Sequence, residues 1–295
     1  MLNISPIPSI FKASPEDNQV FKSQGYKGIP GDLYNAVEVV VDASGQGDYL
    51  TIAEAFTFLG TSPGVVYIKA GSYTITATIT LQNSQELRGS GYGTLITTTM
   101  DAALVTASGD NTGVYDLRLD GNVTGTGQSG ISGGGNNITV RNVWIQDMGG
   151  NGIVASGSTG FIVDGCRISN CNINGIYFAP VTLGAITNND ITTCDDNGIK
   201  FNPAYYNTVV GNNIHNCGSA SVREGGILIV GISFQNIISS NSVRDNAGAN
   251  ETGIYIYNDG NAPLENIITN NLLKNNTTDL INQGTNTQIG HNIAS

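Results

Sequence analysis

The chain has 295 residues, with 12 Lys and Arg against 23 Asp and Glu, a formal net charge of −11, and only 12% of it is charged. A groove that tracks phosphates needs clustered positive charge, and none is visible, so nucleic acid is excluded as a partner. No apolar run approaches the roughly 18–20 residues of a membrane-crossing helix, so no membrane span is expected.

Residues 1–36 belong to no repeat, and Pro6, Pro8, Pro15 and Pro30 rule out long helices there. They read as an extended arm, either a strap along the domain or a docking segment for another subunit or particle. No basic segment followed by an apolar one opens the chain, so no secretory leader is expected. The domain itself is read as 37–295. Val37 to Val41 is expected to form a buried strand. Thr51 and Glu54 make a T-x-x-E capping box ahead of a short amphipathic helix, Ile52 to Leu59. Such a helix would cover the open end of a solenoid. VVYIKAGSYTI, residues 65–75, reads as strand, Gly turn and strand. In GVYDLRLDGN, residues 113–122, Asp116, Arg118 and Asp120 alternate and are expected on one solvated face of a strand.

The strongest pattern runs from Asn151 to Cys217: NGIVASGSTGFIVDGCRISNC, then NGIYFAPVTLGAITNNDITTC, then NGIKFNPAYYNTVVGNNIHNC. Gly152, Gly175 and Gly198 are 23 residues apart, as are Cys171, Cys194 and Cys217. A fixed period of this length marks a solenoid. Short β-branched runs broken by Gly and Asn make it a parallel β-helix rather than a helical repeat. Regular coils are expected over about 130–293. Ile145, Ile168, Ile191, Ile214, Val243 and Leu273 should fall in one column. Three residues on comes Met148, Cys171, Cys194, Cys217, Asn246 and Asn276. Two before it comes Val143, Cys166, Asn189, Asn212, Asn241 and Asn271. Coils stack about 4.8 Å apart, so the Asn run should form an amide ladder that bonds the next coil and the turn backbone. The four Cys lack the spacing of a zinc site, and side chains on stacked strands run parallel, so buried free thiols are favoured over a bridge. In the tail, Ile289 to Ile293 echoes Ile268 to Leu272 as a last partial coil. A partner subunit or the N-terminal arm is expected to cover that end.

VVVDASGQGDYLTIAEAF followed by VVYIKAGSYTI resembles the opening of pectin methylesterases and, more broadly, the pectate-lyase-like superfamily. The NGI-type coils resemble the repeats of alginate epimerases, polysaccharide lyases and phage tailspikes. The resemblance spans about 38–293 and implies an all-β, single-stranded, right-handed parallel β-helix. The methylesterase set of Gln, two Asp and Arg is absent, as is the DPH-type motif of the epimerases. CDDNGIKFN is similar to the paired-Asp strand start of polygalacturonases, preceded by Asn189 and Asp190. His215, however, falls on another edge of the coil.

Function concentrates in loops on a rigid scaffold. The turn before each NGI strand varies most, reading DMGG, NCNI, CDD, CGSASVRE and NAGANE. Gly150, Ile173, Asp196, Glu224 and Glu251 end those turns and should share one edge, with Asp195 and Arg223 beside them. Carboxylates a coil apart would fall within about the 5–10 Å used in glycoside hydrolysis. Like charges so close should raise one pKa, placing an acid beside a base. Asp195, Asp196 and Glu224 are therefore the catalytic candidates. The same oxygens could instead hold Ca²⁺, or form a solvated acidic edge. Arg223 could meet a substrate uronate or pair with Glu224. On the following strand, Val154, Tyr177, Lys200, Leu228 and Tyr255 should point outward, and Ala155, Phe178, Phe201, Ile229 and Ile256 inward. Tyr177, Tyr205, Tyr206, Tyr255 and Tyr257 would give an aromatic strip on which sugar rings stack. Lys200, Tyr177, Tyr255, Arg223 and Glu251 are the substrate-binding candidates.

The leading expectation is a polysaccharide-binding, depolymerising protein of tailspike type. The resemblance implies a homotrimer in a virion or outside the cell. The alternatives are a free lyase, hydrolase or epimerase acting on uronate-containing glycans, and a non-catalytic assembly subunit.

Overall fold

The computed structural model describes residues 37–122, 125–218, 224–246 and 251–294; the arm read at 1–36 lies outside them. The strand pairings are parallel, and each coil adds its strands to those of the coil before it. One sheet has nine strands, running in chain order from Ile79–Leu81 to Thr278–Asn282. A second, of 19 strands, forms the other walls of the coil, and a short one of three strands pairs Ser158–Thr159, Val181–Thr182 and Ala204–Tyr205. Pairing begins already between Val37–Val41 and Gly64–Ile68, well before residue 130. The early coils lack the NGI signature, so their membership shows only in the strand pairing.

Local chemistry explains how a coil turns. Along Thr139–Met148 the buried residues are Val140, Val143, Ile145 and Met148. Simple alternation would bury every second residue. The two wider steps each hold a left-handed residue, Asn142 at φ 53° and Asp147 at φ 55°. Each lets an extra side chain face solvent before inward alternation resumes. Asp116, at φ 55°, does the same one coil earlier. The irregular step lies before it, at Tyr115; from Asp116 on, Asp116, Arg118 and Asp120 alternate on the outer face as expected, with Leu117 and Leu119 buried between them, and Arg118 and Asp120 are joined by an ion pair of 3.1 Å.

Coil by coil, the position of Asp147 is taken by Asn170, Thr193, Asn216, Asp245 and Asn275, all at φ 55–56°. Asn and Asp tolerate this region, whereas a β-branched residue is strained in it. Thr193→Asn should therefore stabilise the protein by about 1 kcal/mol, read as a rise in the denaturation midpoint.

The aliphatic column pairs as expected, Ile145 with Ile168, then Ile191, Ile214, Val243 and Leu273. The Asn ladder beside it is continuous. Asn189, Asn212 and Asn241 each donate a side-chain N–H to the Oδ1 of the next Asn, at 2.9–3.0 Å. Each also donates to a buried carbonyl of the preceding coil, Asn189 to that of Val163 and Asn212 to that of Ile186. The ladder continues to Asn292. Two further ladders, Asn207–Asn236–Asn266 and Asn151–Asn174–Asn197, line other turns.

Met148, Cys171 and Cys194 occupy one column, and Cys217 continues it into Asn246. All four thiols are free and buried. Burial pushes the Cys166 thiol up to about 12. Hydrogen bonding from Cys171 raises that of Cys194 well above its ordinary value, and bonding from Cys194, with burial, does the same for Cys217. A thiol-specific reagent at pH 8 should find no reactive cysteine in the native protein and four after denaturation.

Inside, Phe161 meets Phe178 edge-on with centroids 5.7 Å apart, and Phe178 stacks on Phe201 at 5.6 Å. The helix Ile52–Leu59 buries Ile52, Ala55 and Leu59. Its capping box is complete: the Thr51 hydroxyl accepts from the Glu54 N–H at 3.2 Å, and Glu54 Oε2 accepts from the Thr51 N–H at 3.0 Å.

Candidate functional site

The outer column of the nine-stranded sheet runs Val154, Tyr177, Lys200, Leu228, Tyr255. The inward partners Ala155, Phe178, Phe201, Ile229 and Ile256 are fully buried. Lys200 lies over the Tyr177 ring, 5.7 Å from its centroid. Leu228 departs from expectation: it holds its register but is only 5% exposed, a short side chain between the longer Lys200 and Tyr255.

The turn residues before this sheet stack as the spacing requires. The backbone N–H of Asp196 donates to Ile173 O at 2.9 Å, that of Gly225 to Asp196 O at 3.3 Å, and that of Thr252 to Glu224 O at 3.1 Å. Asp196 and Glu224 thus sit on one edge in adjacent coils. The Asp196 carboxyl is raised above its ordinary range. Burial is the main cause, reinforced by the charges of Glu224 and Asp195 and partly offset by that of Lys200. Both carboxyls lie on the same edge, so the pair acts from one side.

Other candidates divide. Asp195 is exposed beside the pair. Arg223 lies outside the described residues. Glu251 follows in register, since Thr278 N–H donates to its carbonyl at 3.1 Å, but its side chain is fully buried. It leans on Gly218, where an added Cβ would come within 2.5 Å of Glu251 Cγ. That burial removes Glu251 from the accessible edge on which a substrate contact was expected. The aromatic strip is also split. Tyr255 packs edge-on against Tyr257 at 5.4 Å. Tyr205 and Tyr206 instead pack against Phe234, at 6.0 and 4.7 Å, along the three-stranded sheet. Among the described residues no group of three or more His, Cys, Asp and Glu is arranged to hold a metal ion. His215 lies on the other sheet, with Nε2 3.7 Å from Asp190 Oδ1.

Residues 129–294 match the family model for the right handed beta helix region. The chain belongs to the right-handed β-helix family. No curated protein matches the sequence of this β-helix. Among solved structures, the A-module of the mannuronan C-5 epimerase AlgE4 from Azotobacter vinelandii is 16% identical with a TM-score of 0.53, over 89% of this chain and 96% of that one. Pectate lyase Pel9A is 11% identical with a TM-score of 0.60, over 85% of this chain and 78% of that one. ORF18 of Geobacillus virus E2 is 13% identical with a TM-score of 0.50, over 79% of this chain, which spans only 53% of that protein. At such identities the likeness is one of fold, and function must be argued from the site. Among the described residues no helix is long and apolar enough to cross a membrane.

Proposed function

We propose that this β-helix binds a polysaccharide along the outer face of its nine-stranded sheet and cleaves it at the Asp196–Glu224 pair, as a tailspike-like component of a virus particle. The stacked carboxyl pair beside Lys200 and Tyr177, with Asp196 raised by burial and by the charge of Glu224, carries the reading. Asp196, whose carboxyl is raised, serves as the acid and Glu224 as the base, on the same side of a bound sugar. Tyr177 offers a ring surface to the sugar, and Lys200 a cation. The likeness to a viral protein and to proteins named as an epimerase and a lyase supports the substrate class and the setting.

The test is a screen of acidic and neutral polysaccharides for binding and for new chain ends, with the solution mass measured in parallel. Binding, cleavage and a trimeric mass are expected. No binding to any polysaccharide, in a protein that assembles, would leave an assembly role instead.

One observation favours a second chemistry on the same residues. The one-sided pair with an adjacent cation suits removal of the proton next to a uronate carboxylate, with Lys200 neutralising that carboxylate. The product would then be an unsaturated sugar absorbing in the ultraviolet, or an inverted centre without cleavage. The acidic edge also leaves Ca²⁺ as a proposed cofactor. Activity lost to a chelator and restored by Ca²⁺ would establish that use.

A further inference from the structure

The outer face of the 19-stranded sheet carries a second constellation, on a different wall of the coil from Asp196 and Glu224. Successive coils place Arg118, Trp144, Arg167 and Asp190 in one outward column. Arg118 lies over the Trp144 ring at 4.5 Å and Arg167 faces the same ring at 5.7 Å. Tyr92 meets it edge-on, with centroids 5.8 Å apart. The two arginines are not equivalent. Asp120 holds Arg118 at 3.1 Å, whereas Arg167 is exposed and makes no ion pair among the described residues. Beside it is a cleft of about 200 Å³ lined by Trp144, Arg167, Ser169, Asp190 and Thr192. Asp190 Oδ1 accepts from Asn213 at 2.7 Å, and its Oδ2 has no hydrogen bond among the described residues.

We propose that this cleft holds one acidic pyranose of a glycan chain, with its ring edge against Trp144 and its carboxylate on Arg167. The volume suits one sugar ring. An indole supplies apolar area, a guanidinium matches a carboxylate with two parallel donors, and the Ser169 and Thr192 hydroxyls with Asp190 Oδ2 match sugar hydroxyls. Asp190 also orients the ligand, because it repels a carboxylate and accepts from hydroxyls. The sugar must therefore enter with its acid group towards Arg167. Lying on a different sheet, the cleft holds a chain without cutting it, and the inference does not depend on the chemistry of Asp196 and Glu224.

Trp144 is the one tryptophan of the chain, so intrinsic tryptophan fluorescence reports this cleft alone. The D196N variant, in which cleavage is blocked, is titrated with tetramers of galacturonate, mannuronate and guluronate, and with the neutral methyl ester of the first. A saturable fluorescence change is expected with at least one acidic tetramer. Binding should weaken roughly tenfold or more with the neutral ester and after Arg167→Gln, with the R167Q unfolding midpoint unchanged. No fluorescence response to any acidic tetramer, or equal affinity in R167Q, would overturn the proposal. Cleavage by the wild-type protein is followed separately by new chain ends, so failure of the catalytic reading leaves this result intact.

Discussion

Asp196→Asn, and separately Glu224→Gln, should lower polysaccharide cleavage by roughly 10²–10⁴-fold while glycan binding survives. Each change keeps the shape and hydrogen-bonding length of the side chain but removes its ability to give or take a proton. The D196N variant should at the same time be more stable than wild type at pH 7. The sign follows from linkage. The folded Asp196 carboxyl titrates above its ordinary value of 3.8, through burial first and the charge of Glu224 second. A group raised on folding contributes stability that is present below its unfolded pKa and lost as pH rises through its folded pKa. At neutral pH the wild type has lost that contribution, whereas the amide introduced by D196N never ionises. The gain of D196N over wild type should therefore shrink as the pH falls towards 3.8 and below it. Parallel thermal melts of the two proteins at pH 7 and pH 3.5 check this. Unchanged cleavage in both variants would remove the pair from the site, and a D196N protein less stable at pH 7 would contradict its placement.

The largest effect on stability is expected at Asn212. This side chain is 1% exposed. Its Oδ1 accepts from the Asn189 backbone and side-chain N–H groups at 3.0 and 2.9 Å. Its Nδ2 donates to the Ile186 carbonyl and to Asn241 Oδ1, both at 2.9 Å. Asn212→Ala leaves several of these partners buried and unpaired. Each orphaned group costs about 1–3 kcal/mol, so a loss of about 3–5 kcal/mol is expected. Asn188, in the same turn one coil earlier, is the control. It is exposed at φ 57°, where Gly is equally at home, so Asn188→Gly should change stability by no more than about 0.5 kcal/mol. Denaturant midpoints for the two variants measure the contrast. Equal midpoints would mean that the ladder does not carry the turns.

How much of this was legible beforehand differs between elements. Thr51 and Glu54 announce a capping box because its contacts span only three residues. The Cys and Ile columns announce themselves because identical side chains recur every 23 residues in a fold that stacks like on like. Leu228 reads as outward and holds that register, yet it is covered, because the size of its neighbours in adjacent coils decides exposure. Glu251 reads as an accessible carboxylate and is buried, because its coil is longer and its side chain folds under Gly218. Tyr205 and Tyr206 read as part of one aromatic strip and belong to another wall, because the coil bends there at a left-handed residue that is Tyr206 itself, at φ 56°. The cleft at Trp144 gives no linear signal at all, since its residues lie about a coil apart along the chain.

Period, alternation and turn chemistry are local or repeated properties, so the chain's own order determined the parallel coil, its register, its amide ladder and the adjacency of Asp196 to Glu224. Only the tertiary structure decided the burial that raises Asp196, which acidic side chain faces solvent, and which wall each aromatic ring joins. The physical reason is that register assigns a residue to a column, whereas burial and charge proximity depend on the shapes of the side chains packed above and below it.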